Sequence, residues 1–485
     1  MSWLEALVIL LLASALLLPL ARRLSVPYPT LLALAGALAA ATPWAPRIAL
    51  DPQVALLVFI APALLSAAYD TSPQALLRHW RPLFALAVMA VVLTTAAVAW
   101  LGWALAGLPL AAAIALGAIV APPDAAAAHA VLASRGLPRR TLTVLHGEGL
   151  LNDAVALLLF AGATGWIARH GGTGAYLSSL ALSLPGGVML GAFAGWAFVA
   201  LWRVWAGTHS LTVLEFASTF GLWLLAERLH LSAILAVVVF GMWTARGALR
   251  RQSARDRIHS FSVWDAAVFL LNVVAFMLMG LQARDIVGRL DADALWRSLG
   301  FAALVFLTVV AVRMAWVLSY RRVLGPLLPG LNKTGGDLRL RVLIGWSGLR
   351  GVLTLATAMS LPPSFPGRDL VVLSAFAVVM GTLVLQGATI GPLVRWLDLP
   401  EDDSLARDVR RVRRTLRRRA ARAAPTGAAS QQERDRQAVQ AERQTLNRLR
   451  RSNRIDDDVF RLLQEELDWR EVSLTPHAER RIEER

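Results

Sequence analysis

The feature that most restricts the fold of this chain is a series of long apolar stretches that recurs from the amino terminus to Leu397. An α-helix needs about 20 apolar residues to cross the hydrocarbon core of a bilayer. Hydrophobic residues make up 56% of the 485 residues, and the mean hydropathy is +0.54, which is too apolar for an ordinary soluble protein of this length. The sequence therefore predicts an all-α polytopic membrane protein.

The number of predicted transmembrane helices is about thirteen. Their apolar segments lie at residues 3 to 21, 28 to 42, 52 to 68, 82 to 106, 109 to 133, 141 to 167, 176 to 202, 210 to 227, 231 to 245, 262 to 283, 298 to 320, 342 to 361 and 370 to 397. When the loops are counted alternately, one set carries 18 cations and the other 7, and basic loops face the cytoplasm. The predicted location is the cell (inner) membrane, multi-pass, with the amino terminus outside and the carboxy-terminal tail in the cytoplasm.

The composition changes near Asp398, which predicts a transmembrane domain at 1–397 and a cytoplasmic helical tail at 398–485. The residues after Asp398 carry 21 of the chain's 49 cations and 17 of its 33 acids. The arginine-dense stretch from Arg410 to Arg422 suits attraction to anionic membrane lipid, and a solvated charge run is the alternative. The net charge of +16 matches basic loops beside apolar helices, so we expect no nucleic acid partner.

Six charged residues lie well inside the predicted spans, away from the span ends, where an ionised group costs about 3 kcal/mol or more and usually marks an ion or proton pathway. They are Asp124, Glu148, Asp153, Glu215, Arg313 and Arg350. We interpret Glu215 and Arg313 as structural charges paired inside the bundle. The other four lie in segments that also carry proline or glycine motifs or a second polar residue.

Asp124 directly follows Pro122 and Pro123 in the middle of an apolar run. Two prolines remove backbone donors and leave carbonyls without helical partners, so the helix must be interrupted. Transporters build cation sites from such broken spans near the bilayer midplane. A kinked helix in which a neighbour satisfies Asp124 is the alternative.

Arg350 lies in a glycine-rich apolar segment and stays cationic, because the arginine guanidinium keeps its proton in ordinary protein environments. A buried cation needs an acid partner, and Glu148 is the first candidate. Glu148 and Asn152 are neighbours at i and i+4 on one helix, whereas Asp153 points away from Glu148. We therefore predict a structural Glu148–Arg350 ion pair, which leaves Asp153 and Asp124 free to exchange a metal cation for a proton.

Residues 147–153 read Gly-Glu-Gly-Leu-Leu-Asn-Asp and resemble the Gly-Glu-Ser-Leu-Leu-Asn-Asp motif of the monovalent cation:proton antiporters, in the bacterial sodium/proton exchanger-like branch. Residues 122–125, Pro-Pro-Asp-Ala, resemble the family's unwound Pro-Thr-Asp-Ala segment. Residues 345–351, Gly-Trp-Ser-Gly-Leu-Arg-Gly, resemble its arginine-bearing helix. Several motifs in the same order along nearly the whole chain are far more specific than any one alone.

The resemblance implies an inverted-repeat antiporter fold with broken crossing helices, assembled as a homodimer. It implies Asp153 as the residue that alternately carries cation and proton, with Asp124 and Asn152 in the ion site and backbone ligands at Pro122 and Pro123. It also places the second broken helix at residues 370 to 390.

The implied function is secondary active antiport of a monovalent cation for a proton in pH and cation homeostasis. Asn152 in place of an aspartate implies an electroneutral one-to-one exchange. Because Gly149 and Pro123 replace the family's serine and threonine, both Na⁺, the first candidate, and K⁺ remain open. No cofactor is expected.

Two alternatives belong to other functional classes. Paired aspartates such as Asp124 and Asp153 are able to do acid-base chemistry, which would make the chain an intramembrane aspartate-dependent enzyme. A channel, or a sensor with a signalling tail, is the other alternative. The fixed charge of Arg350, the broken-helix signature and the absence of a metal-ligand motif favour a transporter that is not an enzyme.

Overall fold

The protein is helical throughout the part of the chain that the structure, a computed structural model, describes. The described residues are 3–24, 26–42, 54, 56–70, 80–124, 139–168, 173–205, 208, 210–282, 288, 292–326, 338–398, 404–423, 431–452 and 454–474. Within them the chain forms seventeen helices, of which three carry π-helical turns.

Fourteen helices precede the tail. They are α1 (Trp3–Leu24), α2 (Tyr28–Ala40), α3 (a π-turn, Leu56–Ile60, continued by Ala61–Asp70), α4 (Trp80–Leu83, a π-turn at Phe84–Met89, then Ala90–Ala104), α5 (Leu110–Val120), α6 (Arg139–Ala168), α7 (Thr173–Trp205), α8 (Ser210–Arg228), α9 (Ala233–Arg251), α10 (Ala254–Leu281), α11 (Ala292–Leu324), α12 (Leu338–Trp346), α13 (Val352–Met359) and α14 (Arg368–Gly381, a π-turn at Thr382–Gln386, then Gly387–Leu397).

Each of the thirteen predicted apolar segments overlaps at least one of these helices. Five helical stretches are both long and apolar enough to cross a bilayer by themselves. They are Phe84–Ala104, Leu182–Trp202, Ala254–Leu281, Leu295–Leu324 and Arg368–Leu397. The multi-pass helical architecture therefore agrees with the sequence, and the count of thirteen crossings stays a prediction.

The apolar side chains form two main clusters. The larger one joins α1 to α6 and α10 to α14, and the smaller one joins α3, α7, α8, α9 and α13. Small residues let helix backbones meet closely, as is common in membranes. A Cβ atom on Gly36 of α2 would lie only 3.1 Å from the Cα of Gly280 on α10, so these two helices pack backbone against backbone.

Two of the helical runs are interrupted, and one of the breaks is not where the resemblance put it. The first follows α5, where Ala121 to Asp124 leave the helix, as the two prolines predict. The second lies at 347–351, between α12 and α13. The predicted break within 370 to 390 is wrong: α14 is helical through Gly381 and Gly387, and it accommodates its irregularity as a π-turn.

The tail forms three helices with an apolar core of their own: α15 (Ser404–Ala423), α16 (Gln431–Arg451) and α17 (Asp457–Leu474). The tail also docks on α10. Arg257 of α10 donates to the carboxylate of Asp468 through Nε at 2.9 Å and Nη2 at 2.5 Å. Arg443 of α16 donates to the same carboxylate at 2.6 Å, and burial lowers the pKa of Arg443. Asp468 thus joins α16 and α17 to α10.

Candidate functional site

The first break places polar groups between α5 and α6. After α5 ends, the Asp124 amide N–H donates to the Leu349 carbonyl at 2.6 Å, which ties the first break to the second. The Asn152 amide Nδ2 on α6 donates to the Pro123 carbonyl at 3.2 Å. Proline at 122 and 123 removes the donors that would continue the helix, so the polar groups of other segments take their place.

The second break is organised around Arg350, whose side chain is fully buried. Its guanidinium donates to the Val120 carbonyl at 3.1 Å and the Ala121 carbonyl at 3.2 Å, and also to the Gly348 carbonyl. Val120 and Ala121 stand at the carboxy-terminal end of α5, where carbonyls lack helical donors and carry partial negative charge. Arg350 therefore stabilises the open end of the first half-helix.

The predicted ion pair between Glu148 and Arg350 is wrong in its cationic partner. Glu148 on α6 forms its salt bridge with Arg313 of α11, with Nη1 of Arg313 at 2.6 Å from Oε1 of the carboxylate. The two side chains are only 2% and 3% exposed. Arg350 instead donates hydrogen bonds to backbone carbonyls, because the two helix breaks leave several carbonyls beside it without helical donors.

Glu215 and Arg313 are both held inside the bundle, as expected, although not by each other. Ser260 and Trp264 of α10 donate to Oε2 of the Glu215 carboxylate, Trp264 at 3.0 Å. Gln252 approaches its other oxygen at 3.5 Å. Glu215 therefore belongs to a second polar cluster. The backbone carbonyl of Gln252 also accepts a hydrogen bond from Arg257, which lies beside the docked tail.

Asp124 and Asp153, the two predicted exchange acids, interact electrostatically. Both side chains are half-buried, whereas Asn152, which directly precedes Asp153, is fully buried. Oδ1 of Asn152 and Oε2 of Glu148 are buried and receive no hydrogen bond from the residues that the structure describes. Buried oxygens without donors are costly and are the ligand type that hard cations prefer.

The contact made by Thr382, on the π-turn of α14, was not predicted from the sequence. Its hydroxyl accepts from the Arg350 backbone N–H at 3.0 Å and donates to the Val379 carbonyl at 3.0 Å. The sequence did mark this region, because residues 382–387, Thr-Leu-Val-Leu-Gln-Gly, also resemble a segment of the antiporter family. The π-turn thus places a hydroxyl where it closes the second break.

Among the described residues, no three His, Cys, Asp or Glu side chains converge in a metal-binding group. An ion held between Asp124 and Asp153 would take its remaining ligands from backbone carbonyls, the Asn152 amide and water.

The sequence from residue 9 to 396 matches the profile of the transmembrane sodium/hydrogen exchanger family. The chain belongs to this family. The sodium/hydrogen exchangers are integral membrane transporters and not enzymes, so the chain is a multi-pass membrane transporter.

Individual exchangers show the same relationship. An uncharacterised Na⁺/H⁺ exchanger of Mycobacterium bovis is 31% identical over 95% of this chain and 94% of its own length. A sodium, potassium, lithium and rubidium/H⁺ antiporter of Bacillus subtilis is 30% identical over 74% of this chain and 56% of its own length. The sodium proton antiporter MjNhaP1 of Methanocaldococcus jannaschii superposes with a TM-score of 0.63 over 80% of this chain and 100% of its own, at 18% identity, which establishes a shared fold.

Proposed function

We propose that this exchanger moves Na⁺ across the cell membrane in exchange for H⁺, with Asp153 binding the cation and the proton in turn. The observation that carries the proposal is the position of Asp124 and Asp153 beside two facing helix breaks. The Pro123 carbonyl lies beside the Asn152 amide, and Oδ1 of Asn152 receives no hydrogen bond from the described residues. A half-buried pair of interacting acids favours a bound cation or a bound proton over two bare charges.

The test is proton flux in proteoliposomes that contain a trapped pH dye. A Na⁺ gradient should drive proton movement in the wild-type protein, and Asp153→Asn should abolish it. Asp369→Asn is the matched control, because Asp369 is an acid at the start of α14 whose side chain is 53% exposed. Full flux in Asp153→Asn would refute the assigned carrier, and flux down a Na⁺ gradient without coupled protons would favour the channel alternative.

We propose Na⁺ as the first substrate and K⁺ as the second. The Bacillus relative is named for both cations. Gly149 and Pro123 offer no side-chain hydroxyl, so the site has fewer protein oxygens with which to replace the water shell of a small ion. Separate challenges with Na⁺, K⁺ and Li⁺ in the same assay rank the cations.

We further propose electroneutral one-to-one exchange that serves pH and cation homeostasis. The Asn152 side chain is neutral, so only Asp153 changes charge at that pair of positions. With equal K⁺ on both sides of the membrane in every measurement, adding valinomycin to clamp the membrane potential should leave the Na⁺-driven flux unchanged. Asn152→Asp adds a second acid and removes the donor to Pro123, and it should make any remaining flux sensitive to voltage.

The proposed orientation has the amino terminus outside and the tail in the cytoplasm, and it rests on the distribution of loop charge. The homodimer rests on the family resemblance. Protease protection of the tail in right-side-out vesicles tests the orientation, and the mass of the detergent-purified protein tests the dimer.

We propose anionic phospholipid headgroups as the partner of α15. This helix carries nine arginines and one acid, and its apolar residues are already buried against α16 and α17. Five of its nine arginines share an open face with Asp408, its one acid: Arg407, Arg410, Arg411, Arg414 and Arg418. Since α15 begins seven residues after Leu397, that is at most about 25 Å of chain, it stays near the bilayer surface, which attracts basic residues when it is anionic.

Hydrogen exchange of residues 404–423 in nanodiscs tests this partner. Exchange should slow when phosphatidylglycerol replaces phosphatidylcholine, and high salt should cancel the effect. The triple variant Arg410→Gln, Arg414→Gln and Arg418→Gln should lose it. A matched triple variant on α16, Arg434→Gln, Arg448→Gln and Arg451→Gln, should keep it, and equal losses in both variants would refute a specific lipid-binding face.

A further inference from the structure

Gly351 follows Arg350 at the second break and is the residue that precedes the first turn of α13. Its backbone angles, φ −138° and ψ −151°, are those of extended backbone that any residue adopts. The backbone conformation therefore does not require glycine here. A requirement for glycine has to come from the space around its Cα.

That space is filled by the side chain of Asp124. A Cβ atom on Gly351 would overlap Oδ2 of Asp124 and would lie 2.5 Å from its Cγ and 2.9 Å from its Cβ. The backbone of Asp124 is held in place, because its N–H donates to the Leu349 carbonyl at 2.6 Å. An alanine at 351 would therefore turn the whole Asp124 side chain away rather than displace the end of a flexible chain.

The position that Asp124 would lose is the amino-terminal end of α13. The first turn of a helix has backbone N–H groups without helical acceptors, and it attracts negative charge. The Asp124 carboxylate lies beside Gly351, the residue before this end, in space that a side chain at 351 would fill.

We infer that Gly351 is a positioning residue for cation binding: by lacking a side chain it fixes the Asp124 carboxylate at the start of α13. The inference rests on the proposed role of Asp124 in the cation site. Gly351 contacts no cation itself and acts only through Asp124. Its substitution should therefore weaken cation binding more than it slows the turnover of the loaded exchanger.

The test compares Gly351→Ala with wild type and with Gly345→Ala in proteoliposomes. Gly345 is the matched control, because it lies in the same segment and a Cβ there meets the flexible Met314 side chain, with Sδ at 2.8 Å and Cε at 3.3 Å. Gly351→Ala should raise the apparent KM for Na⁺ roughly tenfold, the scale of a carboxylate's interaction with a partly buried helix end. The maximal rate should change by less than about threefold, and Gly345→Ala should match wild type.

A second readout does not depend on transport. The Na⁺ concentration that gives half of the Na⁺-dependent thermal stabilisation of the purified protein should rise by the same factor in Gly351→Ala. An unchanged KM and an unchanged half-stabilising concentration would overturn the role of Gly351 while leaving antiport intact. A wild-type protein without Na⁺-driven proton flux would instead refute the proposed function.

Should Gly351→Ala fail to fold, Asp124→Gly decides the matter. If overlap with Asp124 is the cause, adding Gly351→Ala to Asp124→Gly should not reduce the yield of monodisperse protein below that of Asp124→Gly alone. A large further loss would mean that the methyl group clashes elsewhere, and the inference would be overturned.

Discussion

Replacing Arg313 by methionine should destabilise the protein strongly, because it leaves the Glu148 carboxylate buried without a cation. Arg313 supplies the hydrogen bond to Oε1 of Glu148, while Oε2 already has no donor. The side chains are 3% and 2% exposed, and removing one member of a buried pair costs roughly 3–5 kcal/mol. The size of the loss follows from burial rather than from the 2.6 Å separation.

The chain provides a comparison at similar separation and different exposure. Arg411 and Asp408 of α15 form a salt bridge of 2.8 Å in which the side chains are 71% and 33% exposed. Exposed pairs contribute about 0–1 kcal/mol, so Arg411→Met should have little effect on unfolding. The free energy of unfolding of the full chain in detergent, measured by chemical denaturation, compares the two variants directly.

Restoring neutrality sharpens the test. Combining Arg313→Met with Glu148→Gln should recover most of the lost stability, because the buried charge is then gone. The same cycle between Glu148 and Arg350 should show a smaller coupling energy, since Arg350 binds carbonyls. Stronger coupling of Glu148 to Arg350 than to Arg313 would refute the pairing described above, as would equal losses in Arg313→Met and Arg411→Met.

Two other substitutions test the packing of α10 at its two ends. Gly280→Leu should abolish folded yield in size-exclusion chromatography, because a Cβ there overlaps the backbone of α2. Gly221→Ala should be neutral, since no described atom beyond the backbone of its own helix turn lies within 4 Å of the added methyl. Asp468→Asn should leave Arg257 without its carboxylate partner and speed limited trypsin cleavage of the tail, whereas Asp435→Asn, in an exposed contact with Gln431, should not.

The first break was predictable from the sequence, and the second was predictable only in part. Pro122 and Pro123 force an interruption, because proline lacks the N–H that a helix needs. Glycine permits unwinding without requiring it, so Gly348 and Gly381 were equally eligible by sequence. The structure opens the chain near Gly348, where the Arg350 guanidinium and the Thr382 hydroxyl supply hydrogen bonds that replace those of the helix.

The ion-pair partners could not be predicted from the sequence, for a different reason. Composition and hydropathy identified Glu148, Arg313 and Arg350 as buried charges that need partners. Which charges meet depends on how α6, α11 and α12 pack, and helical periodicity within one segment carries no information about another. The carbonyls that bind Arg350 become available only because α5 ends at Val120, so the outcome depended on the tertiary arrangement.

The contact of Asp468 with Arg257 bears on how this exchanger is divided into modules. The composition changes sharply at the end of α14, and a truncation there would look like a clean way to obtain the transport unit. Such a truncation would also remove the carboxylate that neutralises Arg257, whose hydrogen bond to Gln252 leads to the Glu215 cluster inside the bundle. The boundary in the sequence is therefore not a boundary in the hydrogen-bond network. A shortened exchanger would also have altered hydrogen bonds at the amino-terminal end of α10.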